Sequence, residues 1–377
     1  MDLAKIRSQF PILSELTYLD HSALGPLSLS VRQAAAEALA LQGEGSVGAQ
    51  RLAAAVDVLK EKIARLIGAS PQEIALTRNT AEGLSAVAAG LPWREGDRVV
   101  TDNIEFPANV YPWLNLKARY GVETYFVPAR DGRVVVDDLI AACDAHTRLV
   151  AVSFVQFSNG FRVDLDRLGA YCRGRGIYLC VDGIQGLGAV PLDVSATPVD
   201  FLASGGHKWL LGPLGLGFLY LRRDVQRVVW PAEVGHHSVE QDPDHYTHYN
   251  LTFRPTAEKF EASAPNFAGV FGLSASLDLF HTVGLDAVAA RVVALTDRLC
   301  EGLAARGYRL RSPRGPSEKS GAVTFVSARH ASADLHARLR EARIVTSLRE
   351  GAVRVSPHFY NTEAEIDRFL ATLPRDR

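Results

Sequence analysis

The strongest constraint on this chain is an alternation. Between residues 74 and 223, short β-rich apolar runs take turns with amphipathic stretches. IALT (74–77), DRVVT (97–101), ETYFVP (123–128), RLVAVSFV (148–155), IYLCVDG (177–183), VDFLASG (199–205) and GFLYLRR (217–223) read as strands. A helix is predicted over 51–69, where Leu52, Val56, Leu59, Ile63 and Leu66 fall at helical spacing. Others are predicted at TAEGLSAVAAGL (80–91), at ANVYPWLNLKARYG despite its internal Pro112, at VDDLIAACD (136–144) and at DLDRLGAYCRGRG, stopped by Gly174 or Gly176. Strands alternating with helices argue for an α/β domain on a largely parallel sheet. Some of these strands are apolar almost throughout, as expected when helices cover both sheet faces.

After about residue 285 the pattern changes. A long helix (287–306) precedes YRLRS, AVTFVS, a helix (333–343), IVTSL, AVRVS and a final helix (363–373), which read as a smaller α+β domain. Residues 230–265, with Trp230, His236, His237, Tyr246 and Tyr249, show weak periodicity and read as a long loop or excursion. The 41 Lys and Arg residues nearly balance the 42 Asp and Glu, so nothing overall attracts nucleic acid or an anionic membrane. No apolar run reaches transmembrane length, and MDLAKIRSQFPILSEL lacks the layout of a secretion signal. Four scattered cysteines without a CxxC argue against structural zinc or a disulfide framework, so a reduced, cytoplasmic protein is expected.

Ligands on open α/β sheets bind beyond the carboxyl ends of the strands. Four sequence features fall there or nearby. Thr77-Arg78-Asn79-Thr80-Ala81-Glu82-Gly83 ends a strand and opens a helix, whose free N–H groups and Thr80 hydroxyl suit a phosphate; the same residues also fit a plain capping box. Asp182 ends an apolar strand, where a carboxylate needs a cationic or N–H partner, with Gln185 three residues on; a turn or N-cap aspartate is the other reading. Lys208, in Ser204-Gly205-Gly206-His207-Lys208-Trp209, lies among glycines and apolar residues, so its pKa should be depressed as a Schiff-base lysine requires; the plainer reading is a snorkelling surface lysine. Arg354, in AVRVSPHFYN, suggests a bidentate carboxylate partner or an interdomain ion pair. Together they supply what pyridoxal phosphate and an amino acid require.

With these motifs in place, the chain resembles the class V aminotransferase family of fold-type I pyridoxal-phosphate enzymes, which includes cysteine desulfurases, selenocysteine lyases, kynureninase and isopenicillin N epimerase. The resemblance runs from TYLDHSALGP to YNTEAEIDRFL and is most specific in VDGIQGLGAVPLDV and VDFLASGGHKWLLGPLGLGFLY. It implies that Lys208 forms the imine with the cofactor and shuttles the substrate α-proton, and that Asp182 pairs with the pyridinium nitrogen. Gln156 and Gln185 are expected near the ring oxygen. Thr80, Ala81 and His207 are expected at the phosphate, with Ser204 or Gly205 assisting. Phe106 stands where desulfurases carry a ring-stacking histidine; it can stack but cannot transfer protons. Arg354 matches the carboxylate-binding arginine, and His21 and Ser22 an N-terminal segment lining the substrate pocket. In FEASAPN (260–266) the family's phosphate-reaching hydroxyl would have to come from Ser263, toward a partner subunit's site.

The resemblance further implies a homodimer and three regions. These are an N-terminal segment (1–30) packing with the small domain and lining the site, a large cofactor-binding domain (31–265), and a small C-terminal α+β domain (266–377). Desulfurases carry a nucleophilic cysteine on a mobile C-terminal loop, whereas RIVTSLREGAVRVSPHF has none and Cys300 reads as a core thiol. The expected activity is therefore α-proton abstraction from an amino acid through an external aldimine, followed by C–S β-elimination without a persulfide cysteine. Transamination and epimerisation share the same first step, and a non-catalytic binding protein is a remote alternative. His236 and His237 are expected to reach substrate, and no strict metal-ligand motif accompanies them, so no metal is expected. GPLGLG (212–217) precedes a strand rather than a helix, which argues against a nicotinamide-binding turn.

Overall fold

The alternating strands assemble into one seven-stranded sheet. The computed structural model describes residues 2–242 and 244–376. Strand β1 is Thr17–Tyr18, and the large sheet comprises β2 (Ile74–Thr77), β3 (Arg98–Asp102), β4 (Glu123–Val127), β5 (Thr147–Ser153), β6 (Tyr178–Asp182), β7 (Phe201–Gly205) and β8 (Gly217–Leu221). Their order is β2-β8-β7-β6-β5-β3-β4. Neighbours from β7 through β4 run parallel, and only β8 runs antiparallel to the strands beside it.

Side chains on a strand alternate between faces, and here that alternation divides the apolar residues between two cores. Val150, Val152, Leu179, Val181 and Leu202 face one core, shared with Leu59 and Ile63 of the helix Ser46–Ile67 and Leu168 of the helix Leu165–Arg175. Leu149, Ala151, Cys180, Phe201 and Ala203 face the other, shared with Leu84 and Val87 of the helix Thr80–Gly90 and Trp113 of the helix Tyr111–Tyr120. Pro112 lies in the first turn of that last helix, where its missing N–H breaks no intrahelical bond. Gly176, at a φ of 67°, is the glycine that ends Leu165–Arg175, and Gly174 lies inside the helix.

The C-terminal part contains β9 (Arg309–Leu310), β10 (Val323–Val326), β11 (Ile344–Val345), β12 (Ser347–Arg349) and β13 (Ala352–Val355). An antiparallel sheet runs β12-β13-β10-β9. It packs with the helices Leu285–Ala305, Ser332–Glu341 and Glu363–Thr372 around a third core that also includes Leu19. IVTSL, read as one strand, is two: β11 pairs in parallel with β1, and β12 belongs to the antiparallel sheet.

Two helices were not legible in the sequence. Leu29–Gly43 and Phe267–Val283 pack against one another, and the second is apolar on nearly every side, so no amphipathic period marks it. Although it follows residue 266, Phe267–Val283 gives Val270, Leu273, Leu277 and Phe280 to a core of the large sheet. Residues 230–265 form irregular chain with two short 3-10 turns, His236–Ser238 and Ala257–Phe260. Among the described residues no single helix is long and apolar enough to cross a membrane.

The N-terminal segment ties both parts together. After β1 it passes Asp20, which bridges in parallel to Ser356, and then reaches the loop after β7. There the Gly25 N–H donates to the His207 carbonyl at 2.8 Å, and a Cβ at Gly25 would lie 2.3 Å from the Lys208 carbonyl oxygen. Gly25→Ala should therefore lever this segment off the lysine loop, lowering stability by about 1–3 kcal/mol in a denaturant titration.

Candidate active site

The carboxyl ends of the parallel strands, the N-terminal segment and the β12–β13 hairpin enclose a cavity of about 330 Å³. Its lining includes Ser22, Thr80, Ala81, Phe106, His207, Lys208 and Arg354, together with Gln185. Thr80, Lys208 and Arg354 thus meet on one wall, while Asp182 is absent from the lining and joins the site through its electrostatic interaction with Lys208.

On one side is the start of Thr80–Gly90. The Asn79 side chain accepts from the Glu82 N–H at 3.0 Å, and Glu82 reaches the Arg78 N–H rather than that of Asn79, so this is a cap of a different form from the expected box. The cap leaves Thr80 and Ala81 on the cavity wall, at the helix position where amides lack intrahelical partners. The Thr80 hydroxyl accepts from the Gly205 N–H at 2.8 Å, which fixes the helix start to the end of β7.

Asp182 ends β6 and is 2% exposed. Burial pushes its carboxyl up to about 7; the Ile184 N–H bond and nearby Lys208 oppose that rise, and Glu105 adds to it. Lys208 follows β7. Burial pushes its amine down to about 8, Asp182 holds it up, and Arg354 and Arg349 push it further down. The two groups therefore sit close to neutral pH from opposite directions. The Lys208 Nζ lies 5.5 Å from the centroid of the Phe106 ring, which is 39% exposed toward the cavity and so free to stack. Burial and Lys208 push His207 down to about 4, leaving a neutral ring on the wall.

Arg354 lies on β13, buried to 1% exposure. It donates from Nη1 to the Phe157 carbonyl at 2.8 Å and from Nε to the Ser347 hydroxyl at 3.3 Å. Its Nη2 has no hydrogen-bond partner and is 3.7 Å from the Asp20 carboxylate. A buried guanidinium nitrogen of that kind is prepared for a carboxylate that enters the cavity. The buried Ser22 hydroxyl and Gln156 Oε1 are likewise without partners.

Several residues lie differently from the expectation. His21 is fully buried behind the cavity wall. Its Nδ1 donates to the Ser356 carbonyl at 2.8 Å, so its Nε2 accepts from the Tyr360 hydroxyl at 2.5 Å. Burial pushes the ring down to about 4. His21 therefore anchors the N-terminal segment and leaves the cavity wall to Ser22. Ser204 is fully buried in β7 and donates to the Gly205 carbonyl, off the cavity. Both ends of the Gln185 amide are engaged, Nε2 with the Ser22 carbonyl and Oε1 with the Trp209 indole. Gln156 is buried, with its Nε2 held by Asp102 and Glu105. His236 and His237 meet edge to face, with ring centroids 4.3 Å apart, in the excursion and off the cavity wall. Ser263 is exposed in a separate groove with Arg78 and Glu233.

Three contributors were missed. Arg349 lines the cavity from the end of β12. The signal was present in SLREGAVR, where two arginines flank an EG turn. Glu105 receives the Ser153 N–H and hydroxyl as well as Gln156, and burial beside it pushes Asp102 well up. His358 accepts the Phe359 N–H at Nδ1, so its Nε2 donates to the Trp209 carbonyl, one residue beyond Lys208.

The donor set fits pyridoxal phosphate. A helix start free of acidic side chains on the cavity, a buried amine, a buried carboxyl and a guanidinium nitrogen without a hydrogen-bond partner match a phosphate, an aldehyde, a ring N–H and a substrate carboxylate in turn.

Known proteins agree. The profile of the Aminotransferase class-V family matches residues 17–369. The chain is 33% identical over 398 residues to a probable cysteine desulfurase of Methanothermobacter thermautotrophicus, covering 98% of this chain and 96% of that protein. Among solved structures, the apo cysteine desulfurase of Thermococcus onnurineus NA1 matches with a TM-score of 0.89 at 28% identity, covering 98% of this chain and 96% of that one. The cystine C-S lyase C-DES, in complex with its reaction product cysteine persulfide, matches with a TM-score of 0.90 at 26% identity, covering 96% of this chain and 98% of that one. A point variant of C-DES holds glycine covalently linked to its PLP cofactor. The chain belongs to the class-V aminotransferase family and is an enzyme of the fold-type I pyridoxal-phosphate class.

Proposed function

We propose that this enzyme is a C–S lyase that eliminates the sulfur substituent from the β-carbon of an amino acid. One observation carries the reading: among the described residues no cysteine lines the cavity. Where desulfurases bring a nucleophilic cysteine, this chain has the tight turn Glu350–Gly351 between β12 and β13. Cys172, Cys180 and Cys300 are buried in the cores, and the half-buried Cys143 lies beyond the helix Val136–Ala142. Burial pushes the thiols of Cys143 and Cys300 up to about 11, which leaves them poor nucleophiles. Sulfur must then leave with the substrate fragment instead of passing to the protein.

When bound, pyridoxal phosphate supplies an aldehyde for amines and a ring that takes up the electrons of a broken Cα–H bond. Thr80, Ala81 and His207 would hold its phosphate, Phe106 would cover a ring face, and Asp182 would accept the ring N–H. Arg354 would clamp the substrate carboxylate and thereby orient the Cα–H bond. Lys208, whose amine is pushed down to about 8 and so gives up its proton far more readily than an ordinary lysine, accepts the α-proton and can return a proton to the departing sulfur. The Cβ–S electron pair leaves on that sulfur, and no protein group is oxidised or reduced. For Gln156 or Gln185 to serve the ring oxygen, Gln156 would offer its unpaired Oε1, or Gln185 would exchange a partner. The chain is also proposed to act as a homodimer: Ser263 is exposed outside its own chain's cavity, as a residue serving a partner's site must be.

Purified holoenzyme given cysteine thioethers should release pyruvate, ammonia and a thiol in equal amounts, read by mass spectrometry. Recovery of a keto acid with intact sulfur, or of an inverted α-carbon, would refute the lyase assignment. Lys208→Ala should lower turnover by about 10³-fold or more.

The proton positions give a further prediction. A folded-state Asp182 value of about 7, above its ordinary 3.8, means that between these pH values the folded apoprotein holds a proton the unfolded chain has lost. Its stabilising contribution is full below 3.8 and is lost as pH rises through about 7. Asp182→Asn should remove that component from urea titrations of the apoprotein across this window. Covalent uptake of the cofactor by the apoprotein should speed up as pH rises through about 8, where Lys208 loses its proton.

A further inference from the structure

Two arginines face the cavity, and the carboxylate clamp proposed for Arg354 uses one of them. β12 ends at Arg349, Glu350 and Gly351 turn with φ of 47° and 72°, and β13 begins at Ala352. Positive φ at both central residues is the pattern of a two-residue hairpin turn that matches strand twist. The register pairs Ser347 with Arg354 and Arg349 with Ala352. Because side chains alternate, Arg349 and Arg354 project from the same face of the hairpin.

Their surroundings differ. Arg354 is buried and is held by the Phe157 carbonyl, the Ser347 hydroxyl and Asp20. Arg349 is half-buried on the cavity wall, and its one hydrogen bond runs from Nη1 to the neighbouring Leu348 carbonyl at 2.7 Å. Among the described residues it forms no ion pair. Among the described residues no aspartate or glutamate lines the cavity. Asp20, beside the hairpin, accepts the Ser347 hydroxyl and feels both guanidiniums, whereas the exposed Glu350 of the turn forms no ion pair with Arg349 among the described residues. Asp20 thus feels two permanent cations and is ion-paired with only one of them, Arg354. A substrate α-carboxylate at Arg354 leaves Arg349 still unmatched. The phosphate end of the cofactor is provided for on the large sheet, at Thr80, Ala81 and His207, whereas Arg349 comes from the C-terminal hairpin.

We propose that Arg349 is a second anion subsite, and that the substrate is an amino acid whose side chain ends in an anionic group such as a carboxylate or sulfonate. That the side chain carries this group through sulfur rests on the lyase reading; the distal charge does not.

The test uses holoenzyme and two ligands without an amino group, so neither can react. These are 3-(carboxymethylthio)propanoate and its counterpart in which the distal carboxylate is an amide. Calorimetric titration should show the dicarboxylate binding about tenfold or more tighter than the amide, the range for a charge-assisted contact. Arg349→Gln should bring the two ligands level, and Arg349→Lys should keep part of the difference. Equal affinities in the wild-type enzyme overturn the proposal, even if the variants fail to fold. So does a preference that survives in Arg349→Gln. Titration of each apoprotein with pyridoxal phosphate provides a third check, in which Arg349→Gln should bind the cofactor as the wild type does. A loss of cofactor affinity with the ligand preference intact would assign Arg349 to the phosphate and overturn the proposal. Failure to detect pyruvate from thioethers would refute the lyase reading and leave these affinities unaffected.

Discussion

The site depends on placing an amine and a carboxyl at the ends of adjacent apolar strands. Asp182 and Lys208 follow parallel strands whose residues are buried on both faces, so water cannot solvate either charge fully. In water each group would be fully ionised. Here burial weakens both charges, while each partly stabilises the other. The large sheet creates this situation through its connectivity: β6 and β7 are neighbours, and both end on the same side.

The surrounding shell keeps that pair in place by neutral contacts. His358 holds the Trp209 carbonyl, and Trp209 in turn holds Gln185 through its indole. Gln185 donates to Ser22, whose own amide donates to Ser356. Every link joins different parts of the chain, and the two histidines are kept neutral by burial. Neutral donors and acceptors suit this role, because another buried charge near Lys208 would shift its proton equilibrium further.

Much of this was legible in sequence. Strand positions in the large sheet came from apolar runs, and the site followed because ligands collect at strand ends. Lys208, Asp182 and Arg354 were readable because each breaks an otherwise apolar or glycine-rich setting, and Thr80 because it opens a helix directly after a strand. What escaped were features set by distant contacts. The helix Phe267–Val283 has no polar face, since it is covered from several directions. His21 looked like a pocket residue beside Ser22, yet adjacent residues at a segment end point in different directions, and only Ser22 reaches the wall. Arg349 required the hairpin register, which depends on recognising Glu350–Gly351 as a two-residue turn. Ser263, His236 and His237 lie on a surface away from this chain's own cavity, where nothing in the sequence around them marks a contact.

The parallel pairing of β1 with β11 has a consequence for biosynthesis. Thr17 meets Ile344, and Asp20 meets Ser356, so the first stretch of the protein waits for nearly all the rest to be synthesised before it can settle. A ribosome-bound chain that has already folded its large sheet would expose Lys208 with one wall of its chamber still missing. Selective retention of substrate can begin only once the two distant ends of the polypeptide have met.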